Sequence, residues 1–194
     1  MSAALLVIDM QNSFCHPDGA MHNVRGPVIG ARELISATAR AVDAARAAGH
    51  LIVYTRHGYH AEYLDADSRF RRELAEVVER GGLVRGTWDT EVIAELPVAD
   101  EDVIVDKTRF NAFHGTPLQL ILARHDIREL FVAGVLTNVC VESTVRTARE
   151  LDYEVTVLAD CVSTRSAQLH AGSLASMREG HFARVVPWQQ ALGA

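Results

Sequence analysis

The chain has 194 residues, 48% hydrophobic and 23% charged, with a formal net charge of −6. That length suits one domain spanning residues 1–194 with a sizeable buried core. The acidic balance, with no basic stripe against it, excludes a general nucleic-acid binder.

No apolar stretch approaches membrane-spanning length, so no membrane partner is expected. Arg69, Arg71 and Arg72 form the densest basic cluster, but acidic residues surround it and it reads as a solvated helix face. Cys15, Cys140 and Cys161 are odd in number and widely spaced, which is no disulfide framework and suits a reducing, cytoplasmic setting. The first residues carry no basic segment and Asp9 interrupts their apolar run, so a signal peptide is not expected.

Ala4 to Ile8 is a continuous apolar run ending in Asp9, the pattern of a central parallel strand with an acid at its carboxyl tip. Gln11 to Asn23 reads as a loop, with Pro17, Asp18 and Gly19 as turn signals. Pro27 to Ala48 reads as a helix with Leu34, Ile35, Val42 and Ala45 on its apolar face and Gly49 as its stop. Leu51 to Thr55 is a second strand, and the polar segment His57 to Asp67 behind it is a candidate site loop. Arg69 to Arg80 reads as a helix stopped by Gly81 and Gly82, and Glu91 to Leu96 as a short helix. Val103 to Val105 is the next strand, with Asp106 and Lys107 at its tip. Thr116 as a cap and Pro117 at the first helical position start a helix that runs to about His125.

Leu130 to Ala133 is a further buried strand, broken by Gly134. Thr137 and Asn138 are helix-capping types, and Val141, Thr144, Val145 and Ala148 then share one helical face. Cys140 therefore falls in the first turn of a helix just beyond a strand. Outward N–H groups and the helix dipole there favour a thiolate, so a depressed pKa is expected. Val155 to Leu158 is a strand leading to Asp160, Ala167 to Glu179 a helix and Ala183 to Val186 the last strand; Cys161 reads as packing.

Strands and helices that alternate in this way predict an α/β fold. The architecture expected is a three-layer αβα sandwich on a Rossmann-like, mainly parallel six-stranded sheet. The first strand leads into Asp9-Met10-Gln11-Asn12-Ser13-Phe14 and not into a glycine-rich fingerprint, so nicotinamide chemistry is set aside and no cofactor is expected. Ligands of open parallel sheets bind outside the carboxyl ends of the strands. Asp9, Lys107 and Cys140 each follow a strand, so an acid, a base and a thiol can meet at one rim. Lys107 as an ammonium would stabilise a thiolate, and Asp9 could accept the thiol proton and hold the lysine. A plain salt bridge explains Asp9 and Lys107 equally well, but does not call for Cys140 beside them.

These residues carry a resemblance. Asp9 with Gln11 and Phe14, Lys107 with Phe110 and Phe113, and the run Gly134 to Val141 resemble, in that order, the isochorismatase-like cysteine hydrolase superfamily, over Leu5 to about Val185. The resemblance implies a catalytic triad of Asp9, Lys107 and Cys140. It also implies a cis peptide between Val135 and Leu136 that aims the Leu136 N–H, with that of Cys140, at a developing oxyanion. True isochorismatases lack the cysteine, so Cys140 points to amide hydrolysis through an acyl-enzyme.

Nicotinamidases carry an Asp-x-His metal box after the second strand. This chain has Thr55-Arg56-His57 there, and no metal is expected. The Asn138 to Thr144 run, Thr55-Arg56 and Gly86-Thr87-Trp88-Asp89 are most similar to carbamoyl- and ureido-group amidohydrolases, among them N-carbamoylsarcosine amidase, biuret hydrolase and ureidoacrylate amidohydrolase. The expectation is a cysteine-dependent amidohydrolase of small amide, carbamoyl or ureido compounds, and a homo-oligomer, dimer or tetramer. Phe14, Trp88, Phe110 and Phe113 are candidate pocket walls, and Arg56, His57 and Asn111 candidate polar contacts to the substrate. The alternatives are an isochorismatase- or nicotinamidase-type hydrolase, or a non-catalytic thiol or redox protein on the same fold.

Overall fold

The computed structural model describes residues 2–193. Six strands form one sheet: β1 (Ser2–Ile8), β2 (Leu51–His57), β3 (Val103–Lys107), β4 (Ile127–Val135), β5 (Glu154–Ser163) and β6 (Arg184–Val186). The helices are α1 (Asn12–Cys15), α2 (Ala20–Arg25), α3 (Ala31–Ala47), α4 (Ser68–Glu73), α5 (Ala75–Glu79), α6 (Leu118–Arg124), α7 (Glu142–Glu150), α8 (Ala167–Glu179) and α9 (Trp188–Leu192). A short 3₁₀ turn, Trp88–Thr90, and a π-helical turn, Thr137–Val141, complete the set.

The strand order is β3-β2-β1-β4-β5-β6, and every neighbouring pair is parallel. Helices cover both faces, which is why the central strands are apolar throughout and do not alternate. Leu5, Val7, Phe131 and Ala133 face a core closed by α3, while Leu6, Ile8, Leu130 and Val132 face a second core with Leu118, Val145 and Met177. The buried residues of α3, namely Leu34, Ala37, Thr38, Ala41, Val42 and Ala45, recur at the spacing of one helical face.

The strand order reverses between β1 and β4, and the chain meets its tightest constraint there. Gly134 of β4 has φ 119°, and a Cβ on it would overlap the backbone of Ile8 in β1. Only glycine allows the two strands to approach so closely. The tips of β1 and β4, where Asp9 and Cys140 follow, are thereby held side by side.

Several expected elements differ. Gln11 to Asn23 is no loop but holds α1 and α2, which are too short to imprint a periodicity. The helix expected from Pro27 starts at Ala31, because Gly30 takes a left-handed turn (φ 62°) just before it. The helix expected over Arg69 to Arg80 is interrupted at Leu74, which leaves the helical region (φ −122°, ψ 35°) and separates α4 from α5. Glu91 to Leu96 forms no helix; the short helical turn lies earlier, at Trp88–Thr90. Strand β5 continues through Asp160 and Cys161, with an irregularity against β4 between Val157 and Val162. Among the described residues no helix is long and apolar enough to cross a membrane.

Candidate active site

Asp9 turns out of β1 in a left-handed conformation (φ 52°), which aspartate tolerates better than most residues. Both of its carboxylate oxygens are engaged: Thr55 Oγ1 donates to Oδ1 at 2.7 Å and Lys107 Nζ to Oδ2 at 2.6 Å. Lys107 ends β3, and β2 lies between it and β1, so its stem crosses the tip of β2 to reach Asp9. The ammonium also donates to the Arg109 carbonyl at 3.0 Å and lies 3.3 Å from His57 Nδ1. Burial disfavours the charged lysine, but Asp9 and Cys140 outweigh it and hold its pKa above the ordinary lysine value.

His57 is buried behind this pair, with Nε2 2.8 Å from the Tyr59 hydroxyl. An Nδ1 that accepts from the ammonium leaves the ring proton on Nε2, facing Tyr59. Burial, then the charges of Lys107 and Arg109, keep the His57 pKa well below its usual value. Gln11 fixes this edge: its Oε1 accepts from the His57 N–H at 2.7 Å, and its Nε2 donates to the carbonyls of His57 and Thr90.

Cys140 lies in the π-helical turn ahead of α7, not in the first turn of an α-helix. Thr137 and Asn138, expected as caps, instead tie this turn to its surroundings. Thr137 Oγ1 meets His170 Nδ1 at 2.9 Å, and Asn138 Oδ1 accepts from Thr164 Oγ1 at 2.7 Å. The peptide bond between Val135 and Leu136 is cis. The Leu136 carbonyl accepts from the N–H groups of Val139 and Val141, curling the turn so that Leu136, Val139 and Cys140 face one cavity.

The expectation of a depressed thiol pKa is corrected. Burial pushes the Cys140 thiol up to about 12; the Lys107 charge lowers it, but Asp9 raises it again. The site is too dry, and its charges too nearly balanced, for the lysine to win.

The cavity has a volume of about 530 Å³ and includes Phe14, His57, Tyr59, Phe110, Leu136 and Cys140 in its lining. Larger clefts of about 720 and 610 Å³ open elsewhere and hold none of Asp9, Lys107 or Cys140. Phe14 is a buried wall, and Phe110, 59% exposed, stands at the mouth with its ring 6.2 Å from that of His57. The other candidates lie outside the lining. Arg56 pairs with Asp106 at 2.8 Å, since register places them side by side on β2 and β3. Asn111 uses its amide on Thr147 and its carbonyl on the Phe113 N–H. Phe113 packs on Tyr153, and Trp88 stands edge-on to His16. Cys15 and Cys161 are buried in the first core.

Sequence reasoning missed Thr55, Tyr59, Arg25 and Arg165. Thr55 carried a signal, as the last residue of the expected strand Leu51 to Thr55 at the same rim as Asp9; Arg165 was hidden because β5 runs on past Leu158 to Ser163, and Tyr59 and Arg25 carried none. Asp9, His57 and Cys140 bring potential metal-ligand atoms within 4.8 Å of one another, but the Lys107 ammonium already lies against two of them. A cation added there would face that charge directly.

A model of the isochorismatase domain matches residues 3–190. Ureidoacrylate amidohydrolase RutB of Variovorax paradoxus (strain S110) is 36% identical over 173 residues, covering 81% of this chain and 67% of that protein. A cysteine hydrolase from Pseudomonas syringae pv. phaseolicola 1448A superposes with a TM-score of 0.88 at 30% identity, over 98% of this chain and 91% of that one. N-carbamoylsarcosine amidase from Thermoplasma acidophilum shares the fold, with a TM-score of 0.77 at 24% identity over 97% of each chain. With nearly its whole length matched, the chain belongs to the isochorismatase domain family.

Proposed function

We propose that the chain is a cysteine-dependent amidohydrolase that cleaves a C–N bond of a small carbamoyl, ureido or amide compound, with Asp9, Lys107 and Cys140 as its catalytic residues. The observation that carries this reading is Cys140 in the lining of the cavity, beside a sealed Asp9–Lys107 pair. The relationship to a ureidoacrylate amidohydrolase supports the carbamoyl and ureido class.

Cys140 rests as a thiol in the free enzyme, and Asp9 takes its proton as Sγ attacks the carbonyl carbon. Lys107 stabilises the sulfur's developing charge, and the N–H groups of Leu136 and Cys140 receive the oxyanion. Asp9 returns the proton to the departing ammonia or amine. It then deprotonates the water that hydrolyses the acyl-enzyme and frees the thiol. Each cycle consumes one water and releases one amine and one acid.

The test is an ammonia-release panel of N-carbamoyl amino acids, ureido acids, biuret and nicotinamide, run with wild type and Cys140→Ala. We expect carbamoyl or ureido compounds to lead, activity to survive chelator and the variant to be inactive. Turnover that persists without Cys140 would overturn the reading. So would nicotinamide hydrolysis that exceeds every carbamoyl compound and disappears with chelator.

A further inference from the structure

The turn that presents Cys140 is held from outside by one helix. His170 and Ser173 stand three residues apart on α8, so they project from the same face. Both reach Thr137, the first residue of the turn. His170 Nδ1 lies 2.9 Å from its hydroxyl, and Ser173 Oγ donates to its carbonyl at 3.1 Å. The Ser173 hydroxyl also lies 2.5 Å from Glu142 Oε2, so its one proton is shared between two acceptors. Thr137 opens the turn and Glu142 follows its last residue, so this single hydroxyl ties the turn's two ends together. Arg146 fixes Glu142 in turn, donating to Oε1 at 2.7 Å with its guanidinium over the Phe182 ring.

The inner face of α8 changes character along its length. Leu174 and Met177 pack on the second core, but His170 and Ser173 precede them on the same face with polar groups. Ser173 and Thr137 are both buried. A buried hydroxyl is tolerated only when bonded, and apolar side chains would cover the turn without that demand. What the polar pair adds is direction, because it fixes the side chain and the carbonyl of one residue at once. Burial lowers the His170 pKa, so the ring is neutral near pH 7 and Nδ1 can accept the Thr137 hydroxyl proton.

Other parts of the turn have other supports. Asn138 accepts from Thr164, and the Cys140 carbonyl accepts from Thr144 Oγ1 at 2.7 Å. Among the described residues, side-chain hydrogen bonds to Thr137 come from α8 alone. Thr137 lies between Leu136, whose N–H is the proposed oxyanion donor, and the nucleophile. A shift at Thr137 therefore moves donor and sulfur relative to each other.

We propose that His170 and Ser173 are positioning residues, through which α8 holds Thr137 so that Cys140 Sγ and the Leu136 N–H keep a fixed spacing. This rests on the amidohydrolase reading of Cys140. Neither residue is in the lining of the cavity, so their loss acts on turnover and spares substrate binding.

Two measurements test this, and they fail separately from the amidohydrolase reading. The first is amide hydrogen exchange, read by mass spectrometry on peptides that span 136–141. His170→Ala combined with Ser173→Ala should speed exchange there by about tenfold or more, while peptides of β1 and β3 exchange as in wild type. The second separates kcat from KM for the panel compound hydrolysed fastest. Each alanine variant should lose about tenfold in kcat, with KM within about threefold of wild type. His170→Asn offers an acceptor near the Nδ1 position and should recover kcat to within about threefold, whereas His170→Leu fills the space without an acceptor and should not.

His170 is only partly buried, so its variants carry the test if Ser173→Ala does not fold. Exchange unchanged in folded variants, or faster everywhere alike, overturns the proposal. So does a kcat that stays at the wild-type value, or one that His170→Leu restores as well as His170→Asn. If no panel compound is hydrolysed, the amidohydrolase reading falls, while exchange over 136–141 still decides whether α8 holds the turn.

Discussion

The Lys107 ammonium donates to Asp9 Oδ2 across 2.6 Å, with both side chains all but sealed from water. A pair this dry is strongly coupled, and removing either partner strands the other charge, at a cost of about 3–5 kcal/mol. Lys107→Met should therefore lower urea-unfolding stability by about that amount and abolish turnover. Asp9→Asn keeps the shape but can no longer take a proton, so turnover should fall by about 10²–10⁴. An Asp9→Asn enzyme with wild-type kcat would remove Asp9 from the chemistry and leave it a structural partner of the lysine.

Access sets the three cysteines apart. Burial raises the pKa of all three, Cys15 and Cys140 to about 12. Cys140 lines the cavity, while Cys15 lies against Met10 in the core, its Sγ 3.9 Å from the sulfur, and Cys161 is fully buried. Brief iodoacetamide treatment followed by peptide mapping should therefore label Cys140 first. Its rate should climb with pH through the neutral range, with no plateau near 7, and Lys107→Met should slow it further by removing the charge that lowers the thiol pKa. A plateau below about pH 8, the range of a free cysteine or lower, would show a preformed thiolate.

The positions of Asp9, Lys107 and Cys140 were legible because each follows an apolar run, and parallel topology sends all such residues to one rim. The direction of the thiol pKa was not legible, because it depends on burial and on an acid and a base that arrive from β1 and β3. The polar candidates divide for a similar reason. Thr55 and His57 alternate with Arg56 along β2, so two point to the site and one to Asp106, but the sequence does not say which face is inward. Asn111 looked free for a ligand, yet Thr147, far along the chain, occupies its amide. Arg165 stood at a strand tip like the others, hidden by the expectation that β5 ends near Leu158, when it runs on to Ser163.

Gly134 sets the spacing between the tips that carry Asp9 and Cys140. Gly134→Ala puts a Cβ against the Ile8 backbone at a φ that alanine disfavours. Overpacking and the forced conformation together should cost about 3–5 kcal/mol. The strands must separate to relieve the clash, so turnover should fall as well, even well below the melting temperature. A variant within about 1 kcal/mol of wild type in urea titration would show that β1 and β4 can part without harm, against the close packing of such a core.

His57 predicts how stability depends on pH. It is 4% exposed, with the Lys107 ammonium 3.3 Å from Nδ1 and the Tyr59 hydroxyl at its other nitrogen. Protonation would set a second cation against the lysine, and burial, first, then Lys107 and Arg109, keep the folded-state pKa well below the usual value. The unfolded chain protonates this histidine near pH 6.5, at about its free value. Below that pH the unfolded state binds a proton that the folded state refuses. The stability contribution is therefore complete above about pH 6.5 and is lost as the pH falls, by about 1.4 kcal/mol per unit. His170, also lowered by burial, acts in the same direction, so the comparison must be between variants. Urea unfolding of wild type, His57→Gln and His170→Gln between pH 8 and pH 5 should give the shallowest acid-side slope in His57→Gln, whatever its stability at neutral pH. Equal slopes in wild type and His57→Gln would mean that the folded protein accepts a proton on His57 as readily as the unfolded chain. The Lys107 contact would then not hold the ring neutral.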